Sequence, residues 1–182
     1  MINKILILFL LIVSKGFTQD KHSFEIENNQ LVWQKVFTSE LNQAKIEKIL
    51  KENGIFKNTV LAEKQINGEI ENITADYEGV GKNSWNTSFY VQNTTISGTF
   101  FIEFKEGRYR VTFNGINLKT VNDLSGEGIT VMSANSIQPL SDFAIRKGKF
   151  RKGFLRADVK IFEHTFTNIF DFNKYKLKTN DW

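Results

Sequence analysis

The chain has no cysteine among its 182 residues. No disulfide can form, no thiol can act as nucleophile or metal ligand, and lipid attachment through an N-terminal cysteine is excluded. Histidine is almost as scarce. His22 lies near the chain start and His164 stands beside Glu163, and neither has a second histidine at metal-ligand spacing. There is no G-x-S-x-G turn to present a serine nucleophile. Gly79-Val80-Gly81-Lys82 lacks both the full spacing of a phosphate loop and its following Ser or Thr, so it reads as a loop between strands. Also missing is an apolar run long enough to cross a bilayer. Ile5 to Val13 is unbroken, but at about 1.5 Å per residue it covers roughly half of a ~30 Å hydrocarbon core.

A short apolar run behind Lys4, followed by the polar segment Ser14 to Asp20, has the organisation of a signal peptide. The expected leader is residues 1–18, with a peptidase cut before Gln19 that the small residues Gly16 and Thr18 favour. A retained membrane anchor is the alternative. The expected location is therefore periplasmic or secreted. Removing the leader lowers the basic count from 24 to 22 against 20 acidic residues. That balance does not suit a dedicated nucleic-acid binder. The remaining chain, residues 19–182, has the length of a single domain.

The first patterned segment runs from Phe24 to Phe37, with a turn or bulge at Asn28-Asn29 and alternation established from Leu31 and Trp33. Residues 19–27 are expected to be a flexible tail. Thr38-Ser39 reads as an N-cap pair for a helix of about fourteen residues carrying Leu41, Ala44, Ile46, Ile49 and Leu50, closed by a left-handed Gly54. Strands are then expected at Thr59–Ile66 and Glu69–Tyr77, joined through Asn67-Gly68, a strong hairpin signal. Further strands are expected at Ser88–Gln92, at Thr99–Lys105 after a reversal between Asn93 and Gly98, and at Arg108–Asn114 beyond the Glu106-Gly107 turn. Residues 119–152 read as an irregular insertion, with a loop at Asp123–Gly128 and an unassigned Ile129–Met132. Leu155, Val159, Phe162, Phe166 and Ile169-Phe170 then recur at helical intervals and predict a closing helix of about four turns. The expected fold is α+β: an antiparallel sheet of about five or six strands, with one helix after the first strand and one near the C-terminus on the same face.

The stretch from Leu31 to Leu118, and above all Lys105-Glu106-Gly107-Arg108-Tyr109-Arg110-Val111 between two long strands, resembles the DUF4468 family of exported Bacteroidetes proteins. That resemblance implies a TBP-like fold and an envelope location. It implies no activity, cofactor or catalytic residue, because a fold does not carry a function with it.

Candidate chemistry is sparse. His164 reads as an exposed or half-buried helix residue. Glu69, Glu71, Asp76 and Glu78 could supply a carboxylate pair of the kind glycosidases use, although acids spaced two apart on a strand usually mark a solvated face. No catalytic, cofactor or metal residue is assigned. Asn72-Ile73-Thr74, Asn86-Thr87-Ser88 and Asn93-Thr94-Thr95 match glycosylation acceptors and read as ordinary strand and turn composition. Two features point to binding. Arg146, Lys147, Lys149, Arg151, Lys152 and Arg156 are six cations with no acid among them, suited to anionic lipid headgroups, lipopolysaccharide phosphate or an acidic protein, or else simply a solvated loop. The chain also holds 17 phenylalanines, and Phe100, Phe101 and Phe104 fall on both faces of one strand. That strand is either covered on both sides or exposes an apolar patch. The expectation is an exported, non-enzymatic interaction module with an unknown protein partner. The alternative is a carrier holding a lipid or other apolar ligand between the sheet and the closing helix.

Overall fold

The computed structural model describes residues 22–121 and 133–175. The leader read at residues 1–18, and the loop and undecided segment within 122–132, lie outside the described residues. Strands β1 (Phe24–Glu27) and β2 (Gln30–Thr38) form a hairpin across Asn28-Asn29, whose φ values of 50° and 60° make the two-residue turn that matches strand twist. Phe24–Glu27 is therefore strand and not flexible tail. Phe24 is buried, with its ring against Phe154 and Phe166, and this apolar contact offsets the entropy of ordering β1.

Helix α1 (Gln43–Glu52) begins later than Thr38-Ser39 suggests. Thr38 is still paired with Arg108, the Ser39 amide donates to the Gly107 carbonyl, and Asn42 caps the helix by accepting from the Lys45 amide at 3.0 Å. Asn53 ends it in extended conformation, so Gly54 is not used as a left-handed cap. Strands β3 (Phe56–Ala62) and β4 (Gln65–Thr74) turn at Glu63-Lys64, and Asn67-Gly68 lies inside β4. The glycine is there for close approach. Gly68 pairs with Phe100, and a Cβ on it would lie 2.7 Å from the Phe100 Cζ. Gly98 plays the same part beneath the Phe113 ring, so it lies within β5 (Thr94–Lys105) and reverses nothing. Ser88–Gln92, expected as strand, contains the short helix α2 (Phe89–Gln92). The Glu106-Gly107 turn into β6 (Arg108–Thr120) is as read.

The strand order is β1-β2-β6-β5-β4-β3, antiparallel throughout. Past Gly115 (φ 57°) the edge of β6 that β2 leaves free is taken by β7 (Ile137–Pro139). The expected irregular insertion at 119–152 thus contains ordered elements: the end of β6, β7, helix α3 (Leu140–Ala144), and a ribbon of β8 (Ile145–Arg146) and β9 (Lys149–Phe150). A π-helical turn (Phe154–Asp158) then leads into α4 (Val159–Phe170). This turn changes which residues share the buried face. The Val159 amide bonds the Phe154 carbonyl five residues back, so one extra residue is inserted into the helical ladder and the buried face shifts by one position. Phe154 is accordingly buried, and Leu155 is 37% exposed.

α4 lies across one sheet face. Trp33 of β2 meets Phe166 and Phe170 at ring-centroid distances of 5.7 and 5.6 Å, and Phe113 of β6 meets Phe166 at 5.0 Å. Ile46, Ile49 and Leu50 of α1 join the same core. Each such side chain contributes about 1.5–3 kcal/mol on burial. The other sheet face carries the row Gln34, Thr112, Phe101, Asn67 across β2, β6, β5 and β4, beside the Glu103–Arg110 ion pair. Phe101 is half-buried in a polar row, which places this face among antiparallel sheets that are wet on one side.

Candidate anion-docking surface

The β8–β9 ribbon turns at Lys147-Gly148, with φ values of 53° and 70°. Its register pairs Ile145 with Phe150 and Arg146 with Lys149. Phe150 faces inward, stacked on Phe154 at 6.2 Å and edge-on to His22 at 5.1 Å. Strand alternation therefore turns Arg146 and Lys149 outward as a directly opposed like-charge pair. Arg151 locks the base of the ribbon, its amide donating to the Ala144 carbonyl at 2.7 Å and its Nε to the Ile145 carbonyl at 3.1 Å.

All six predicted cations are exposed, and among the described residues none is in an ion pair. Five of them sit on the ribbon and its exit, and Arg156 lies on the π turn. The structure adds Lys160, exposed one turn beyond Arg156, which the i, i+4 spacing alone could have disclosed. Asp142 is the single acid between residues 133 and 157. It lines an open cleft of about 380 Å³ with Asn29, Ser141, Ile145, Lys147, Gly148 and Arg151.

Elsewhere several polar groups hold the fold together. Asp76 accepts from the Gly79 amide at 2.8 Å and pairs with His164 Nε2 at 3.0 Å, and Asn168 Nδ2 lies 2.8 Å from the same nitrogen. The neighbouring hydroxyl, Thr165 Oγ1, is occupied, accepting from the Asp76 amide and donating to the Ile161 carbonyl. The pair ties the 76–81 turn to α4, and Gly79 fits because a Cβ there would collide with both side chains. Gly79-Val80-Gly81-Lys82 is that turn, closed by Gly81 at φ 74°. Glu69 accepts from Asn58 Nδ2 at 2.6 Å, while Glu71 and Glu78 are exposed. Among the described residues no group of three or more acidic or histidine side chains converges on a metal position.

Two carboxylates were not legible from spacing. Glu163 accepts from the Ser23 amide and hydroxyl at 3.0 and 2.9 Å, and from Trp33 Nε1 and Lys35 Nζ at 2.9 Å each. Burial pushes its carboxyl upward, but the Lys35, Ser23 and Trp33 donors outweigh it and hold the group below the usual carboxylate value. Asp158, buried in the π turn, accepts from Ser88 Oγ at 2.7 Å and Tyr90 Oη at 2.8 Å. Burial, reinforced by Asp158, raises the Tyr90 phenol. No helix among the described residues is long and apolar enough to cross a membrane.

No protein-family model and no curated protein matches the chain. Two solved structures are similar to it. A DUF4468 family protein from Bacteroides ovatus shares 14% identity at a TM-score of 0.48, over 85% of this chain and 92% of that one. A TBP-like protein from Parabacteroides distasonis shares 13% identity at a TM-score of 0.44, over 81% of this chain and 94% of that one. Both descriptions coincide with the resemblance drawn from residues 31–118.

Proposed function

We propose that this chain is an exported, non-catalytic binding module that docks onto an anionic partner through the β8–β9 ribbon and the π turn behind it. One observation carries this reading: Arg146 and Lys149 are held directly opposite each other, flanked by Lys147, Arg151, Lys152 and Arg156, with none of the six in an ion pair among the described residues. Opposed like charges weaken a strand pair. The ribbon's folding would gain from an acid at either position, so its composition serves something outside the fold. Export is supported by the Lys4 and Ile5–Val13 leader. The aromatic rings that occupy the sheet–helix space weigh against an apolar cargo there.

The test is calorimetric titration of the chain from Gln19 onward with soluble inorganic polyphosphate at several salt concentrations. Counterion release by four or more cations predicts an affinity that falls about fiftyfold or more over a fourfold rise in salt. The Arg146→Glu/Lys149→Glu variant should lose most of it. Heat that is absent, or independent of both salt and the ribbon, overturns the reading.

A further inference from the structure

Resting on that anionic docking surface, we infer that the partner is a lipid bilayer, and that Trp85 and Phe89 enter its interface beside the cationic ribbon. Trp85 is 95% exposed and Phe89 56% exposed. Neither is exposed through looseness. The Asn83 side chain accepts from the Trp85 and Asn86 amides, Asn86 Oδ1 accepts from the Asn83 amide, and Gln92 Nε2 donates to the Ser84 and Thr87 carbonyls at 2.8 Å each. A hydrogen-bonded loop thus holds a whole indole out in water, forgoing the burial that dominates aromatic energetics.

The loop and the ribbon share one end of the molecule. β2 begins, β6 ends and β5 begins at the same end of the sheet, as the pairs Trp33–Phe113 and Thr94–Thr120 show. The Trp85 loop leads into β5 there, and the ribbon tip at Gly148 lies against Asn29 of the β1–β2 turn. The elements on either side of the ribbon also grip the loop. Phe143 of α3 stacks on Tyr90 at 4.3 Å, and Asp158 of the π turn takes hydrogen bonds from Ser88 and Tyr90. Leu155, 37% exposed, stands next to Arg156 on that same turn.

The charge pattern selects a bilayer. No acid occurs between Glu78 and Glu103, and Asp142 alone interrupts the cations of 133–157. Cations by themselves suit any polyanion, whereas presented aromatics beside them suit a headgroup layer. There phosphates meet the Lys and Arg side chains while an amphipathic indole sits at the boundary with the acyl chains.

The experiment is co-sedimentation of the chain from Gln19 onward with phosphatidylcholine vesicles containing about 30 mol% phosphatidylglycerol, against phosphatidylcholine alone and against soluble polyphosphate. The expected result is pelleting with the anionic vesicles only. The Trp85 emission, taken as wild type minus Trp85→Phe, should shift to the blue and be quenched by brominated acyl chains. Trp85→Ala/Phe89→Ala should weaken vesicle binding about tenfold and leave polyphosphate affinity unchanged. Polyphosphate binding without vesicle binding, or vesicle binding indifferent to both aromatics, overturns the bilayer inference while the anion-docking surface stands. Failure to bind either probe removes both.

Discussion

Glu163 offers the sharpest test of how this fold is held closed. Its carboxylate is half-buried and takes four hydrogen bonds, and it links Ser23 ahead of β1, strand β2 and the closing helix α4. In Glu163→Ala the indole N–H of Trp33, a residue with no exposed surface, loses its partner, which costs about 1–3 kcal/mol for an unsatisfied buried donor. The Lys35 pair is part-solvated, at 31% and 21% side-chain exposure, and contributes about 0.5–1 kcal/mol. The two Ser23 bonds are part-solvated and add about 1 kcal/mol together. The expected loss at neutral pH is therefore about 3–4 kcal/mol, read from urea unfolding followed by far-UV circular dichroism. Glu163→Gln keeps one acceptor and should lose about half of that. The pH dependence follows from the lowered carboxyl. Because its folded value lies below the reference value of 4.5, its stabilisation is fully present above about pH 4.5 and is lost as pH falls through the folded value. The gap between wild type and Glu163→Gln should narrow in acid. A Glu163→Ala loss under about 1 kcal/mol, or a gap equally wide at pH 7 and well below pH 4.5, would refute this account of the tie.

Gly68→Ala should cost about 1–3 kcal/mol, since its Cβ would meet both the Phe100 ring and the Lys57 carbonyl, whereas Gly54→Ala, with nothing within 4 Å, should stay within about 0.5 kcal/mol. Paired urea melts of the two variants decide this. Tyr109→Phe removes a buried hydroxyl that donates to the Phe170 carbonyl at 2.8 Å and accepts from the Phe172 amide at 2.9 Å. It should cost about 2–3 kcal/mol and expose the Phe172 amide to hydrogen exchange, while unchanged protection there would contradict a role in pinning the end of α4. Lys149→Glu should raise the melting temperature by converting the like-charge pair with Arg146 into an opposite one, while lowering affinity for polyphosphate. A fall in both would mean that the ribbon's charges serve the fold.

Periodicity and composition sufficed for the long elements. Alternation marks β2 and the β5–β6 hairpin, the Glu106-Gly107 turn was legible because its chemistry is local, and the aromatic spacing of Phe162, Phe166 and Phe170 marks α4. The six cations were equally plain, since charge needs no fold to be counted. Tertiary contact decided the remainder. Asn67-Gly68 carries a strong turn signal, yet the Phe100 ring needs a bare backbone beneath it, and that need is visible only once β4 and β5 are paired. The π turn moves Phe154 into the core and Leu155 out of it, a shift of one residue that an ideal helical period cannot anticipate. Glu163 reads as one more helix acid until β1 and β2 bring Ser23, Trp33 and Lys35 against it. Trp85 shows the same limit, because its exposure depends on a loop whose anchors, Asp158 and Phe143, lie more than fifty residues away in sequence. Local chemistry is carried by neighbours in the chain, and burial is set by neighbours in space.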